Sequence, residues 1–312
     1  MKLPARRRSM RLLRPAPPLR LGLLRALVGT FATVYLLVRL SHLISFGDFP
    51  VGRFAPVGPV GLLDDPLAAG AVTTLVLAAV AVGVAFTIGW RYRISGPAFA
   101  LLFLWVTTYR NSWGTVLHTE NLLALQVLVI GFVRAADAFS LDARRVGEER
   151  SESWRYGWPI RLVTVVTVLT YFVGGWAKIR FGGAEWLFGD TLRNQIAHDN
   201  LRKLLLGDFY SPFGGWLTQF GWLFPPMALA SAAIELGAPL ALTNGRLGRW
   251  WAAAAWSFHL AIMAVMAIVF AYQLSFIAFA AFFRLEVGWE RLKGRSWRPA
   301  TRKKLPSRPS PA

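Results

Sequence analysis

From Leu21 to Phe46 the chain runs 26 positions without a single acidic residue, and it then does much the same thing again and again. Further apolar runs follow at 67–89, 94–109, 117–136, 160–180, 221–243, 249–270 and 271–284. A helix rises about 1.5 Å per residue, so about 20 residues cross a hydrocarbon core of roughly 30 Å. Only a membrane gives such runs a solvent. The expectation is an all-α, polytopic transmembrane helix bundle of about eight spans. The run 94–109 is short, and 249–270 and 271–284 are parted only by the AYQLS stretch, so the last segment is read as a span or a re-entrant piece. The first run follows a basic leader, as a signal peptide would. It is long enough to span and no small-residue cleavage site follows it, so it is expected to remain as the first span.

Charge says which way the bundle is threaded. Of the residues 55% are hydrophobic and 16% charged, and the formal net charge is +19. Such a basic chain could be meant for nucleic acid. Here, however, the basic residues sit at the two ends and in alternate loops, as the positive-inside rule expects, so no nucleic-acid partner is expected. With the N-terminus inside, the inside segments are 1–20, RYR (91–93), 134–161, NGRLGR (244–249) and the tail from Arg284, each carrying arginines. The outside segment 46–66 has one Arg against three Asp. Both termini are then cytoplasmic. Residues 1–20 read as a basic disordered arm, 21–284 as the membrane domain and 285–312 as a basic tail. Arg25, Arg39 and His42 lie near the ends of the first run and can snorkel.

The segment 181–220 is the least apolar connection. FGGAEWLFGD (181–190) reads as a glycine-punctuated turn with Asp190 as an N-cap. TLRNQIAHDNLRKLLL (191–206) places Leu192, Ile196, Leu201, Leu204 and Leu205 roughly on one face. That predicts an extracytoplasmic amphipathic helix lying on the membrane, with those leucines turned inward.

Ionisable groups at membrane depth are costly and need a reason. Lys178, after Gly174 and Gly175, is a snorkelling anchor or a proton acceptor desolvated by apolar neighbours. The glycines would let another helix or a ligand come close. His118 and Asn121, three apart, belong to RNSWGTVLHTENLL (110–123), which is a polar turn before a helix or part of a site at the same face as Lys178. Glu235 and His259 lie well inside their runs. A His–Glu pair, or Glu235 with a lysine or arginine, is the expected solution, in a site or as an interhelical hydrogen bond. With no cysteine, disulfides and thiolate chemistry are excluded. The histidines lack metal-ligand spacing, so no metal is expected.

NSWGTVLHTENLL (111–123), RAADAFSLDARR (134–145), YFVGGWAKIRFGGAEWLFGDTLR (171–193), LFPPMALASAAIELGAPLAL (223–242) and WSFHLAIMAVMAIVF (256–270) together resemble the horizontally transferred transmembrane (HTTM) domain proteins of bacteria. The resemblance covers roughly residues 20–284. The same domain forms the membrane part of vitamin K-dependent gamma-carboxylase, which deprotonates a reduced quinone on the lumenal side and carboxylates protein glutamates. The stretch YF-x-x-G-x-x-K is similar to the carboxylase segment that holds its catalytic base, and Lys178 falls on that lysine. A histidine of the carboxylase assists catalysis in a region resembling 112–123, where His118 stands at a different local spacing. Glu235 and the Phe258–His259 pair look like family features. The chain departs at Ala177, where the carboxylase has a second lysine, and after its last span, where the carboxylase continues into a large substrate-binding domain.

The resemblance implies an integral-membrane enzyme at the outer face using a reduced quinone. In it Lys178 is the base, His118 assists, and Asn121, Glu235 and His259 support. Some relatives take part in maturing exported toxin peptides, which implies a second reading, a non-catalytic maturation or immunity partner of an exported peptide. A small transporter is the third. The partners are accordingly membrane lipids with an exported peptide or a lipophilic small molecule.

Overall fold

The computed structural model describes residues 14–147 and 150–294 and is all helical there, with no strand among the described residues. Helix α1 (Pro18–Val38) is followed by the short α2 (Leu40–Ser45), then α3 (Ala69–Ile88), α4 (Tyr92–Arg110) and α5 (Asn121–Gly131). After α6 (Leu141–Val146) comes the longest helix, α7 (Trp154–Phe188), then α8 (Thr191–Leu205), α9 (Pro212–Leu217) and α10 (Phe224–Leu236). The chain ends in α11 (Gly245–Met266), α12 (Ala271–Leu274) and α13 (Leu285–Leu292). Among the described residues, four helical segments are long and apolar enough to cross a membrane: 18–38, 69–88, 154–188 and 221–242.

The run 117–136 yields a helix of only 11 residues, about 16 Å long at the usual rise. Beyond it the chain folds back into the bundle. Arg25 does not snorkel: it is fully buried and donates to the carbonyls of Ala135 and Phe139, satisfying backbone that a turn would otherwise bury unpaired. Asp142 then accepts hydrogen bonds from the backbone N–H groups of Arg91 and Tyr92 (3.0 and 2.8 Å), so the loop caps α4.

The segment 271–284 is not a regular helix. It holds α12 and one 3₁₀ turn (Ile277–Phe282), yet Ala278, Phe279 and Ala280 are buried. Non-helical backbone at membrane depth survives only where protein satisfies it. Gln126 supplies that: its Nε2 donates to the Ala278 carbonyl and to Thr167 Oγ1 (both 3.0 Å), and its Oε1 accepts from the Tyr272 hydroxyl (2.6 Å). The segment leads back to the start of the chain, where Arg20 grips Glu286 through two hydrogen bonds of 2.8 and 2.6 Å. Both ends of the domain therefore lie at one end of the bundle.

Parts of the expected disordered arm (1–20) and of the expected basic tail (285–312) pack onto the domain. Ala16 is buried and pairs with Ser153 through backbone hydrogen bonds, and α13 docks through Glu286. The remaining arm and tail, 1–13 and 295–312, lie outside the described residues.

Candidate functional site

The site begins with a helix that bends. α7 continues well beyond the expected 160–180 and breaks at Gly183, whose φ of 54° and ψ of −138° no side-chain-bearing residue adopts readily. The bend folds the last turn back, bringing the Trp186 ring centroid to 5.2 Å from Lys178 Nζ. The Phe258 ring lies at 5.4 Å, so the lysine sits between two aromatic faces.

Lys178 points into the bundle, its side chain 24% exposed. Its Nζ donates to Glu235 Oε2 over 2.5 Å, with Ser231 Oγ at 3.5 Å. Glu235 can come this close because α10 lies almost against the backbone of α7. A Cβ on Gly175 would stand 2.7 Å from Glu235 Cβ and 3.2 Å from Leu236 N. At Gly174 the nearest atom, Glu235 Oε1, would be at an ordinary 3.5 Å. Gly175, not Gly174, is the contact that sets the pair.

Toward the middle of α7 the site deepens. Tyr171, two turns before Lys178 on the same helix face, is hydrogen-bonded to His259 Nε2 at 2.7 Å. His259 is buried, its Nδ1 has no partner within the protein, and its ring lies 4.8 Å from that of Phe270. Of the two expected solutions for Glu235, the structure takes the lysine; the histidine takes Tyr171 instead.

Lys178, Trp186, Ser231, Phe258 and Phe270 border a cavity of about 580 Å³, which Glu235, Tyr171 and His259 do not line. Lys178, Ser231 and Gln195 give it a polar end, and Met227, Ile234 and Ile262 are among its apolar walls. A volume of this size, mostly apolar with a few convergent polar groups, suits a lipophilic small molecule.

His118 and Asn121 are not part of this constellation. His118 is exposed and reaches the cavity only through Phe270, whose ring is 5.7 Å from its own. Asn121 is exposed at the start of α5, its backbone N–H bonded to the His118 carbonyl. Sequence reasoning missed Tyr171, Trp186, Ser231 and Phe270. Helical spacing holds a signal for two of them: Ser231 lies four residues before Glu235, and Tyr171 seven before Lys178.

The cavity is roofed by α8, against which α9 packs. Ile196, Leu217, Phe224 and Val265 form a small core of their own, with Leu192 packed against it. The inward stripe of α8 then turns polar, at Asn200 and Lys203, while Leu201, Leu204 and Leu205 point away, Leu205 being 76% exposed. The expected leucine face is therefore wrong beyond Ile196. The reason lies in α11, which ends at Ala267 in the left-handed region (φ 52°) and leaves carbonyls without helical partners. Ser211 Oγ donates to the Ala264 carbonyl (2.5 Å), Asn200 Nδ2 to Val265 (2.9 Å) and Lys203 Nζ to Met266 (2.6 Å).

Compared with known proteins, the chain matches the HTTM domain family over residues 13–289. No curated protein and no solved structure matches it.

Proposed function

The chain belongs to the HTTM domain family, and from that premise we propose that it is an integral-membrane enzyme resembling the gamma-carboxylase membrane domain, with Lys178 as its proton acceptor and a reduced quinone as cofactor. The observation that supports this best is Lys178 on the wall of an apolar cavity, with Glu235 behind it at 2.5 Å from its Nζ.

The cavity fits the cofactor class. Lys178, Ser231 and Gln195 would hold the oxygen end, and Met227, Ile234 and Phe258 the ring and its apolar substituents. When bound, a reduced quinone supplies an acidic hydroxyl and reducing equivalents. The work of the chain is to receive a proton. Ammonium–carboxylate and amine–carboxylic acid are two forms of the Lys178–Glu235 pair, differing by one proton moved along the short hydrogen bond. In the second form the Nζ lone pair accepts from the Glu235 carboxylic acid; rotation about the Cε–Nζ bond turns it to the cavity, where it accepts a proton from a bound hydroxyl. Trp186 and Phe258 keep water from that nitrogen and stabilise the resulting cation. His259, held by Tyr171, supports the wall beneath, and His118 contributes through Phe270.

The same reading orients the protein. Eight passes, the last formed by the irregular 267–284 segment, put both termini in the cytoplasm and Lys178 at the outer face. The Arg20–Glu286 contact and the alternation of basic loops support this.

A second reading has one observation in its favour. Leu204, Leu205, Leu206 and Phe209 are uncovered on the roof of the cavity, as a non-catalytic partner of an exported peptide would need.

Titrating the purified protein in lipid nanodiscs with a reduced naphthoquinone separates the two. The enzyme reading expects saturable binding that is lost when Ala230→Trp fills the cavity, and, with the dioxygen of aerated buffer as oxidant, quinol consumption that is lost in Lys178→Arg while binding remains. Absence of saturable binding to the wild type would sink it.

A further inference from the structure

The stretch 267–272, from the end of α11 into α12, is a partition. Ile268 and Phe270 line the Lys178 cavity, whereas Val269, Ala271 and Tyr272 line another, of about 370 Å³, on the other side. From 268 to 271 the side chains alternate, as an extended segment requires; residues 267–270 belong to no helix.

The second cavity has its own chemistry, and it absorbs the polar turn at 110–123 that the Lys178 site leaves out. Glu120 and Thr119 line it beside Tyr35 and Arg39, while Phe31, Val34, Val38, Leu123 and Val269 give it apolar walls. Glu120 is already committed: its Oε2 accepts from Arg110 Nη1 (2.6 Å) and Thr119 Oγ1 (2.5 Å), and both members of that ion pair are nearly buried. Their charges cancel. Arg39 is different, since no carboxylate of the described residues lies within ion-pair distance of it. The buried Tyr35 hydroxyl lies beside the Glu120 carboxylate, within reach of a hydrogen bond to it. An unpaired cation thus stands at the head of an apolar trough. Its floor continues along α1 over Val34 and Val38, 49% and 76% exposed, toward what would be lipid.

We propose that this trough is a second ligand site, distinct from the Lys178 cavity, for an amphiphile with an anionic oxygen head: a carboxylate or phosphate at Arg39, above the Tyr35 ring, with its chain lying along α1. The site is independent of the enzymatic reading, because it uses none of its residues. A phospholipid of the outer leaflet and a free carboxylate amphiphile share this chemistry, so the test carries both.

Purified protein is titrated with oleate, phosphatidylglycerol and phosphatidylcholine, each alone, and bound ligand is counted by native mass spectrometry. At least one anionic probe is expected to bind more tightly than phosphatidylcholine. Arg39→Gln should weaken it about tenfold, the worth of one charge-assisted hydrogen bond. Tyr35→Phe should weaken it less, and Arg93→Gln at the opposite end of the bundle should leave it unchanged. Preference for oleate supports a free carboxylate ligand; preference for phosphatidylglycerol supports a lipid. Binding that ignores Arg39→Gln, or that falls equally in Arg93→Gln, overturns the site. Arg39 is exposed and makes no ion pair, so its variant is not expected to misfold.

Discussion

Lys178 and Glu235 stand 57 positions apart in sequence and 2.5 Å apart in space, on two helices that touch at a glycine. The pair has two jobs that can be pulled apart. As a largely protein-enclosed ion pair it costs folding free energy to break. On the enzymatic reading it is also a proton-sharing couple that makes a neutral amine available to the cavity.

Removing one partner should therefore destabilise the protein strongly. Lys178→Ala or Glu235→Ala is expected to cost about 3–5 kcal/mol, because a charge is left enclosed without its counter-ion. Lys178→Met with Glu235→Leu should recover most of that in thermal unfolding while showing no quinol consumption. If the double variant stays active, Lys178 is not the acceptor.

Gly175→Ala should push α10 off α7, since the new methyl meets Glu235 Cβ at 2.7 Å. Overpacking of this kind typically costs about 1–3 kcal/mol. Gly174→Ala should be close to neutral. Equal thermal stability of the two variants would show that the close approach is not what holds the pair.

The roof can be mapped by cysteine scanning, which is clean in a chain with no cysteine. Single cysteines at Ile196 and Asn200 should resist labelling in the folded protein, and those at Leu201 and Leu205 should react. Asn200→Ala should also loosen the end of α11, since it strips a hydrogen bond from the Val265 carbonyl and the acceptor of the Ser211 N–H (2.7 Å). Protection at 201 with labelling at 200 would reverse the assigned face.

A pH effect is expected where the two ends of the chain meet. Burial pushes the Glu286 carboxyl up, but hydrogen bonds and charge from Arg20, joined by a hydrogen bond from Arg284, outweigh it and hold the group below the ordinary carboxylate range. A depressed folded-state pKa means stability that is present above the unfolded value, near 4.3 for a glutamate, and lost as pH falls through the lower folded value. Thermal unfolding of the wild type should weaken through that acid window more steeply than that of Glu286→Gln. Identical slopes would mean that the contact contributes nothing.

Much of this was legible before the fold was seen. Run length gave the helical membrane class, and the cost of intramembrane charge pointed to Lys178, Glu235 and His259. The pairings were less legible. Nothing in local spacing tells Glu235 to take Lys178 and leave His259 to Tyr171, because the choice depends on how α10 and α11 cross α7. The face of α8 was misread for a definite reason. Hydrophobic periodicity presumes that an inward face is apolar, but here the inward face must supply donors to the exhausted end of another helix. His118 was drawn toward the Lys178 site by a shared end of the bundle, and it stops one aromatic ring short.

The irregular 267–284 segment bears on how the protein is made. A hydrophobic helix entering a bilayer brings its backbone hydrogen bonds with it. This segment has only short helical turns, and it borrows partners from Gln126, itself tied to Thr167 of α7. On the eight-pass reading, the last crossing can settle only after α5 and α7 have come together. The side of the membrane on which α13 finally rests would then be decided as the bundle assembles, with Gln126 as the latch.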